Sequence, residues 1–199
     1  MNEEKRPQAR SDWKKSIVLY LRDVICYLIA IVILFLLVFR VVIVSGTSMN
    51  MTLYNGDYLL LLSSTFYRDP QNGDVVVISK KAFDDGTPIV KRVIATAGET
   101  VDIDFPNGVV YVNGVALEEG YVNTPTNTRG TVAFPLTVPE GFVFVLGDNR
   151  NGSRDSRYVE IGLIDTREIL GKAIFLFIPG TNTEHDPRPM DWGRIGVIK

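Results

Sequence analysis

Hydroxyl side chains crowd the stretch IVSGTSMNMTL, residues 43–53, which follows directly on a long apolar run. Its serines, threonines and glycine read as a polar stem, as a strand edge or turn, or as the seat of a nucleophile. A serine nucleophile needs a base. The single histidine, His185, stands in the proline-rich tail TEHDPRPMDW, where a solvated loop is the expected setting. Carboxylates are weak bases for a hydroxyl, which leaves lysine. Lys91 in PIVKRVIATA lies within an apolar strand pattern. Alternation puts it on one face with Ile89 and Val93 and turns Arg92 to the other with Val90 and Ile94. One reading is an edge-strand lysine that deters aggregation. The other uses its aliphatic neighbours, which are what desolvation of an amine requires. To act as a base near pH 8, an amine with an ordinary pKa near 10.4 must drop by about two units. That is roughly 3 kcal/mol, within reach of burial. A third stretch, GDNRNGSRDSR at residues 147–157, follows the strand pattern FVFVL. It is either a solvated charged turn or a functional loop on a rigid scaffold.

The elements that must position these residues begin with the apolar run VICYLIAIVILFLLVFRVVIV, residues 24–44, whose only charge is Arg40. About 20 apolar residues cross a hydrocarbon core. A buried core helix would not be apolar on every face over this length. Lys5, Arg6, Arg10, Lys14 and Lys15 precede the run, and no Lys or Arg falls between Arg40 and Arg68. That asymmetry predicts a single-pass anchor in the cell membrane, with the N-terminus cytoplasmic and the rest extracytoplasmic. Arg40 is placed to snorkel to the outer interface, and Arg22 with Asp23 to sit at the inner one. A cleaved signal peptide is the competing reading, with small residues at VSG, but the run exceeds the roughly 7–15 residues of a typical apolar signal region. The expected division is a cytoplasmic segment 1–16, an anchor 17–44 and a domain 45–199.

Beyond residue 44 the pattern is β. Short Val-, Ile-, Phe- and Tyr-rich runs (YLLLL, VVVIS, PIVKRVIATA, VDIDF, VVYVNGVAL, FVFVL, KAIFLFIP) are punctuated by Gly, Asn, Asp and Pro. FPNGVVYVNG predicts a hairpin with Asn107-Gly108 at its turn. Residues 118–140, polar and proline-broken, predict loops of a peripheral β subdomain over about 100–146. The fold class is therefore mainly β, an anchored antiparallel domain with no helix of ten or more residues after the anchor. The 21 Lys plus Arg against 23 Asp plus Glu give no basic stripe and no case for nucleic acid. The lone Cys26 excludes a disulfide within the chain and a Cys-rich zinc site.

The order of the anchor, SGTSMNMTL, NGDVVV, KRVIATAGE and GDNRNGSRDSR resembles the type I signal peptidases, membrane-anchored Ser-Lys proteases, over essentially the whole chain. The resemblance implies cleavage of signal peptides from exported preproteins after small residues at −1 and −3, with no metal and no cofactor. The implied partners are the signal peptides of those preproteins and the lipid bilayer. It makes Ser48 the nucleophile, Lys91 the general base and Ser153 the hydroxyl that orients the lysine amine. Asp148, Asp155, Arg92 and Arg157 become structural, through ion pairs. The oxyanion hole is expected at the Ser48 backbone N–H and the Gly46 region, since Gly46 stands where some members carry a serine.

The chain also departs from the family pattern. Met51 replaces a usual proline. Ala95, Thr96, Ala97 and Gly98 replace the usual GxPG, and two residues are inserted between Arg157 and Gly162. None of these removes a catalytic group. Two other readings remain: a self-cleaving regulator of the SOS-repressor type, which would be soluble and carry a DNA-binding region, and an inactive anchored adaptor or pilus-assembly factor.

Overall fold

The computed structural model describes residues 8–81, 83–122, 124–180 and 190–198; His185 lies outside them. The chain divides after Val38 into two units. The first contains the helix α1, Gln8–Val38. Within it Lys15–Val38, 24 residues of mean hydropathy 2.6, is long and apolar enough to cross a membrane. At 1.5 Å per residue that segment is about 36 Å long, against roughly 30 Å of hydrocarbon.

The apolar run expected to serve as anchor through Val44 divides at Val38. Phe39–Ile43 forms a strand, β1, antiparallel to β2 (Tyr58–Ser63), with Phe39 opposite Leu62 and Ile43 opposite Tyr58. Hydropathy does not separate the two states, because FRVVI is as greasy as the helix before it. Its β-branched residues and the free edge of β2 favour the strand. The second unit therefore begins at Phe39, six residues before the expected Ser45. Arg40 lies exposed on β1 opposite Leu61.

The remaining strands are β3 (Val75–Ile78), β4 (Ile89–Ala95), β5 (Thr100–Asp104), β6 (Val109–Val112), β7 (Val115–Ala116), β8 (Leu136–Thr137), β9 (Phe142–Leu146), β10 (Ile164–Asp165), β11 (Ile169–Ile178) and β12 (Gly196–Val197). Among the described residues they make two antiparallel sheets. The larger has the order β1-β2-β11-β3-β4-β9-β10, with β12 also on β11; the smaller has the order β7-β6-β5-β8. The strands of the smaller sheet fall within residues 100–137, short of the expected end of a peripheral subdomain near 146. Phe142–Leu146 belongs to the large sheet, where Val143 to Leu146 are buried. The hairpin at Asn107-Gly108 joins β5 to β6. A second one, which the sequence reading passed over, joins β6 to β7 through Asn113 (φ 53°) and Gly114 (φ 78°). That pair of positive φ values is what a two-residue Asn-Gly turn supplies.

After the anchor, helical structure among the described residues is confined to single 3-10 turns. The turn at Thr166–Glu168 carries a capping box between Asp165 and Glu168. Strand β4, which bears Lys91, runs between β3 and β9. The edge-strand reading of that lysine is thereby excluded, since both flanks of β4 are paired.

Candidate active site

Met49 fixes the position of the hydroxyl before it. Its side chain is 1% exposed and packs in a core cluster with Val44, Leu53, Leu59, Leu61, Val75, Val90 and Leu176. Burying a side chain of this size is worth about 1.5–3 kcal/mol, so the turn from Ser48 to Asp57 is pinned by its second residue. Backbone bonds from Asn50 N–H to the Thr47 carbonyl and from Leu53 N–H to the Met49 carbonyl close the turn. Ser48 is left half-buried at its start. Gly46 N–H donates to Asn55 Oδ1 at 2.9 Å and is committed there. Among the described residues the Ser48 N–H meets no acceptor.

Lys91 Nζ lies 2.7 Å from Ser48 Oγ and donates to the Val90 carbonyl at 3.0 Å. The lysine is 3% exposed. Burial pushes its pKa down from 10.5 to about 8; the carboxylates of Asp155 and Asp148 oppose the shift, and the Arg157 guanidinium adds to it. Desolvation wins because each carboxylate is already neutralised by its own arginine.

Those pairs are buried. Arg92 Nε and Nη2 grip Asp148 Oδ1 and Oδ2 at 2.9 and 2.7 Å, and Arg92 Nη1 donates to the Gly73 carbonyl. Asp148 also accepts from Thr52 Oγ1, so one carboxylate ties β4 to the turn that begins at Ser48. Arg157 holds Asp155 by two further bonds, at 2.8 and 2.9 Å, and donates to the carbonyls of Thr128 and Arg150. Asp155 in turn accepts from Gly147 N–H. Asn149 reaches the Ser48 turn directly, with its N–H to the Ser48 carbonyl at 3.0 Å and Nδ2 to the Thr47 carbonyl at 3.1 Å. Gly147 makes this approach possible. A Cβ there would stand 2.2 Å from Ser153 Oγ and 2.5 Å from the Ser48 carbonyl oxygen.

Ser153 is buried beside Gly147, but its hydroxyl donates to the Arg154 carbonyl at 3.4 Å, while the Lys91 amine bonds Ser48 and Val90. The departures from the family pattern are absorbed locally. Ala95 ends β4 fully buried, and Thr96 to Glu99 form a turn closed by Glu99 Oε2 on the Thr96 N–H. Within the inserted stretch Ile161 is 1% exposed and packs with Val76, Val93 and Val145. Met51 is 50% exposed.

Other participants carry no signal in the sequence. Arg150 is fully buried, pairs with Glu119 through its two terminal guanidinium nitrogens at 2.7 and 2.6 Å, and donates to Thr126 Oγ1. Tyr121, in the loop read as peripheral, lays its ring over the Arg92 guanidinium at 3.9 Å. Burial pushes its hydroxyl up to about 12, with Glu119 reinforcing the shift. EEGYVN carried no local sign of this, since its partners lie about 30 residues away in sequence.

The family model described as Signal peptidase, peptidase S26, matches residues 17–178. Signal peptidase I of Bacillus licheniformis is 33% identical over 193 residues, covering 90% of this chain and 96% of that protein. Signal peptidase I T of Bacillus subtilis (strain 168) is 34% identical over 191 residues, with the same coverages. A probable signal peptidase I-1 of a Synechocystis species is 34% identical over 160 residues, 77% of this chain and 74% of that protein.

The depressed lysine has a stability consequence. Below pH 8 the folded and unfolded chains both carry the ammonium, and the fold bears the full cost of its burial. Between about 8 and 10.5 only the unfolded chain keeps the proton, so stability rises with pH across that window. A shift of this size corresponds to about 3 kcal/mol. Lys91→Met should therefore unfold at higher denaturant than the parent at pH 7, and this advantage should fade by pH 10. Parallel denaturant titrations at the two pH values measure it.

Proposed function

The chain belongs to the signal peptidase family, peptidase S26, and we propose that within it Ser48 and Lys91 cleave signal peptides from exported preproteins as a nucleophile and its general base. The single observation that carries this assignment is the 2.7 Å approach of the Lys91 amine to Ser48 Oγ in a dry setting. Neutral Lys91 takes the Ser48 proton as Oγ attacks the carbonyl of the scissile bond. The Ser48 N–H donates to the oxyanion that forms. As the intermediate collapses, the lysine ammonium gives its proton to the leaving amine, which is the new N-terminus of the mature protein. An ester remains on Ser48. Lys91 then deprotonates water, hydroxide equivalent adds to the ester, and the signal peptide leaves as a carboxylate with the serine regenerated. In this cycle Ser153 turns its hydroxyl from the Arg154 carbonyl to the amine and orients it. Asp148, Asp155, Arg92 and Arg157 hold the frame.

The substrate rule follows from the family: small residues at −1 and −3, with larger side chains rejected by overpacking of shallow pockets. The topology follows from Lys15–Val38 as an uncleaved membrane span, with Lys5, Arg6, Arg10, Lys14 and Lys15 on the cytoplasmic side. Ser48 follows that span by ten residues of sequence.

The decisive experiment is cleavage of a preprotein by the detergent-solubilised full chain, with mass spectrometry of the product ends. Turnover should rise with pH through a limb near 8, where burial leaves Lys91 neutral. Ser48→Ala should abolish it. Lys91→Arg keeps the charge but cannot deprotonate, so it should be as inactive as Lys91→Ala. Ser153→Ala should lose about 10²-fold yet retain measurable activity. Substantial cleavage by Lys91→Arg, or full activity at pH 5, rules the lysine out as base. Replacing Ala at −1 of the preprotein by Leu or Phe should stop processing at that bond, and equal rates would refute the pocket rule. Protease treatment of intact cells should digest the part beyond Ser45 and spare the N-terminal segment.

A further inference from the structure

The loop carrying Glu119 and Tyr121 covers an arginine whose chain neighbour is Lys91. Arg92 is 1% exposed. One side of its guanidinium is taken by the two bonds to Asp148, and the Tyr121 ring lies over it with the guanidinium carbon 3.9 Å from the ring centroid. The ring is held in turn. Its hydroxyl donates to Glu119 Oε1 at 3.2 Å, Glu119 pairs with the buried Arg150, and that guanidinium lies 5.9 Å from the same ring. The charged groups around Tyr121 are thus Arg92 from β4, Asp148 and Arg150 from the loop after β9, and Glu119 from its own loop. Around the Lys91 amine they are Asp148, Asp155 and Arg157. Asp148 belongs to both sets.

We propose that Tyr121 is a positioning residue whose ring seals the Arg92–Asp148 pair from water and so keeps that carboxylate committed to arginine rather than to the Lys91 amine. This inference rests on Lys91 being the base. Removing the ring loosens Arg92 and leaves Asp148, one of the two carboxylates that act on Lys91, freer to attract the ammonium, which favours protonated Lys91.

The test is the pH–rate profile of preprotein cleavage by the full chain, compared among the parent, Tyr121→Ala and Tyr121→Phe. In Tyr121→Ala the alkaline limb should move up by about half a unit or more. Its rate at pH 7.5 should then fall roughly 3- to 10-fold and recover by about pH 10. Tyr121→Phe keeps the ring and should keep the parental limb. A limb that stays in place in Tyr121→Ala, whatever its melting temperature, overturns the proposal. So does an equal shift in both variants, because the hydroxyl would then be responsible. If Tyr121→Ala does not fold, Tyr121→Leu takes its place in the same comparison.

A parent with no limb near pH 8 would instead remove Lys91 as base, and a readout free of activity then decides the role of Tyr121. In the Tyr121→Ala background the gain in denaturant midpoint from Lys91→Met at pH 7 should be clearly smaller than in the parent. Equal gains overturn the sealing role.

Discussion

Holding an amine 2.7 Å from a serine hydroxyl inside a paired strand obliges the protein to keep that amine dry without leaving any nearby charge unpaired. Lys91 sits on β4 with paired strands on both sides, and its burial outweighs the pull of two carboxylates. A carboxylate left alone in such surroundings would stabilise the ammonium and reverse the outcome. Asp148 and Asp155 are tolerable because each is held at two points by an arginine, a geometry that a lysine could not reproduce.

The same pairs join parts of the chain that lie far apart in sequence. Asp148 binds Arg92 on β4 and Thr52 in the Ser48 turn, and Asn149 binds the Thr47 and Ser48 carbonyls. Arg157 gathers carbonyls from residues 128 and 150 around Asp155. A buried pair of this kind is weak evidence for net stability, but removing one partner costs about 3–5 kcal/mol by stranding the other. The loop therefore has one low-energy arrangement, and in it the serine meets the lysine.

Strand β1 leads into this frame: Phe39–Ile43 pairs with β2, and the turn that carries Ser48 follows it. Val44, just past the strand, donates its N–H to the Asp57 carbonyl and packs in the same cluster as Met49. Apolar sequence thus serves two ends here: up to Val38 it forms the helix, and from Phe39 it builds the sheet from which the Ser48 turn departs.

The β class, the apolar span and the candidate reacting groups are legible in the sequence alone. Each has a local cause: turn residues spaced between β-branched runs, apolar length, and a lysine set among aliphatics in KRVI. Hydropathy could not divide helix from strand at Val38, because that choice depends on the free edge of β2. Nor could composition show that EEGYVN reaches Arg92 and Arg150, or that Phe142–Leu146 leaves the small sheet for the large one, since both are contacts between segments distant along the chain. A charged loop and a buried ion pair are written with the same letters. Whether the arginines of GDNRNGSRDSR meet water or carboxylates is decided by the chain that folds over them, and so, through desolvation, is the proton affinity of Lys91.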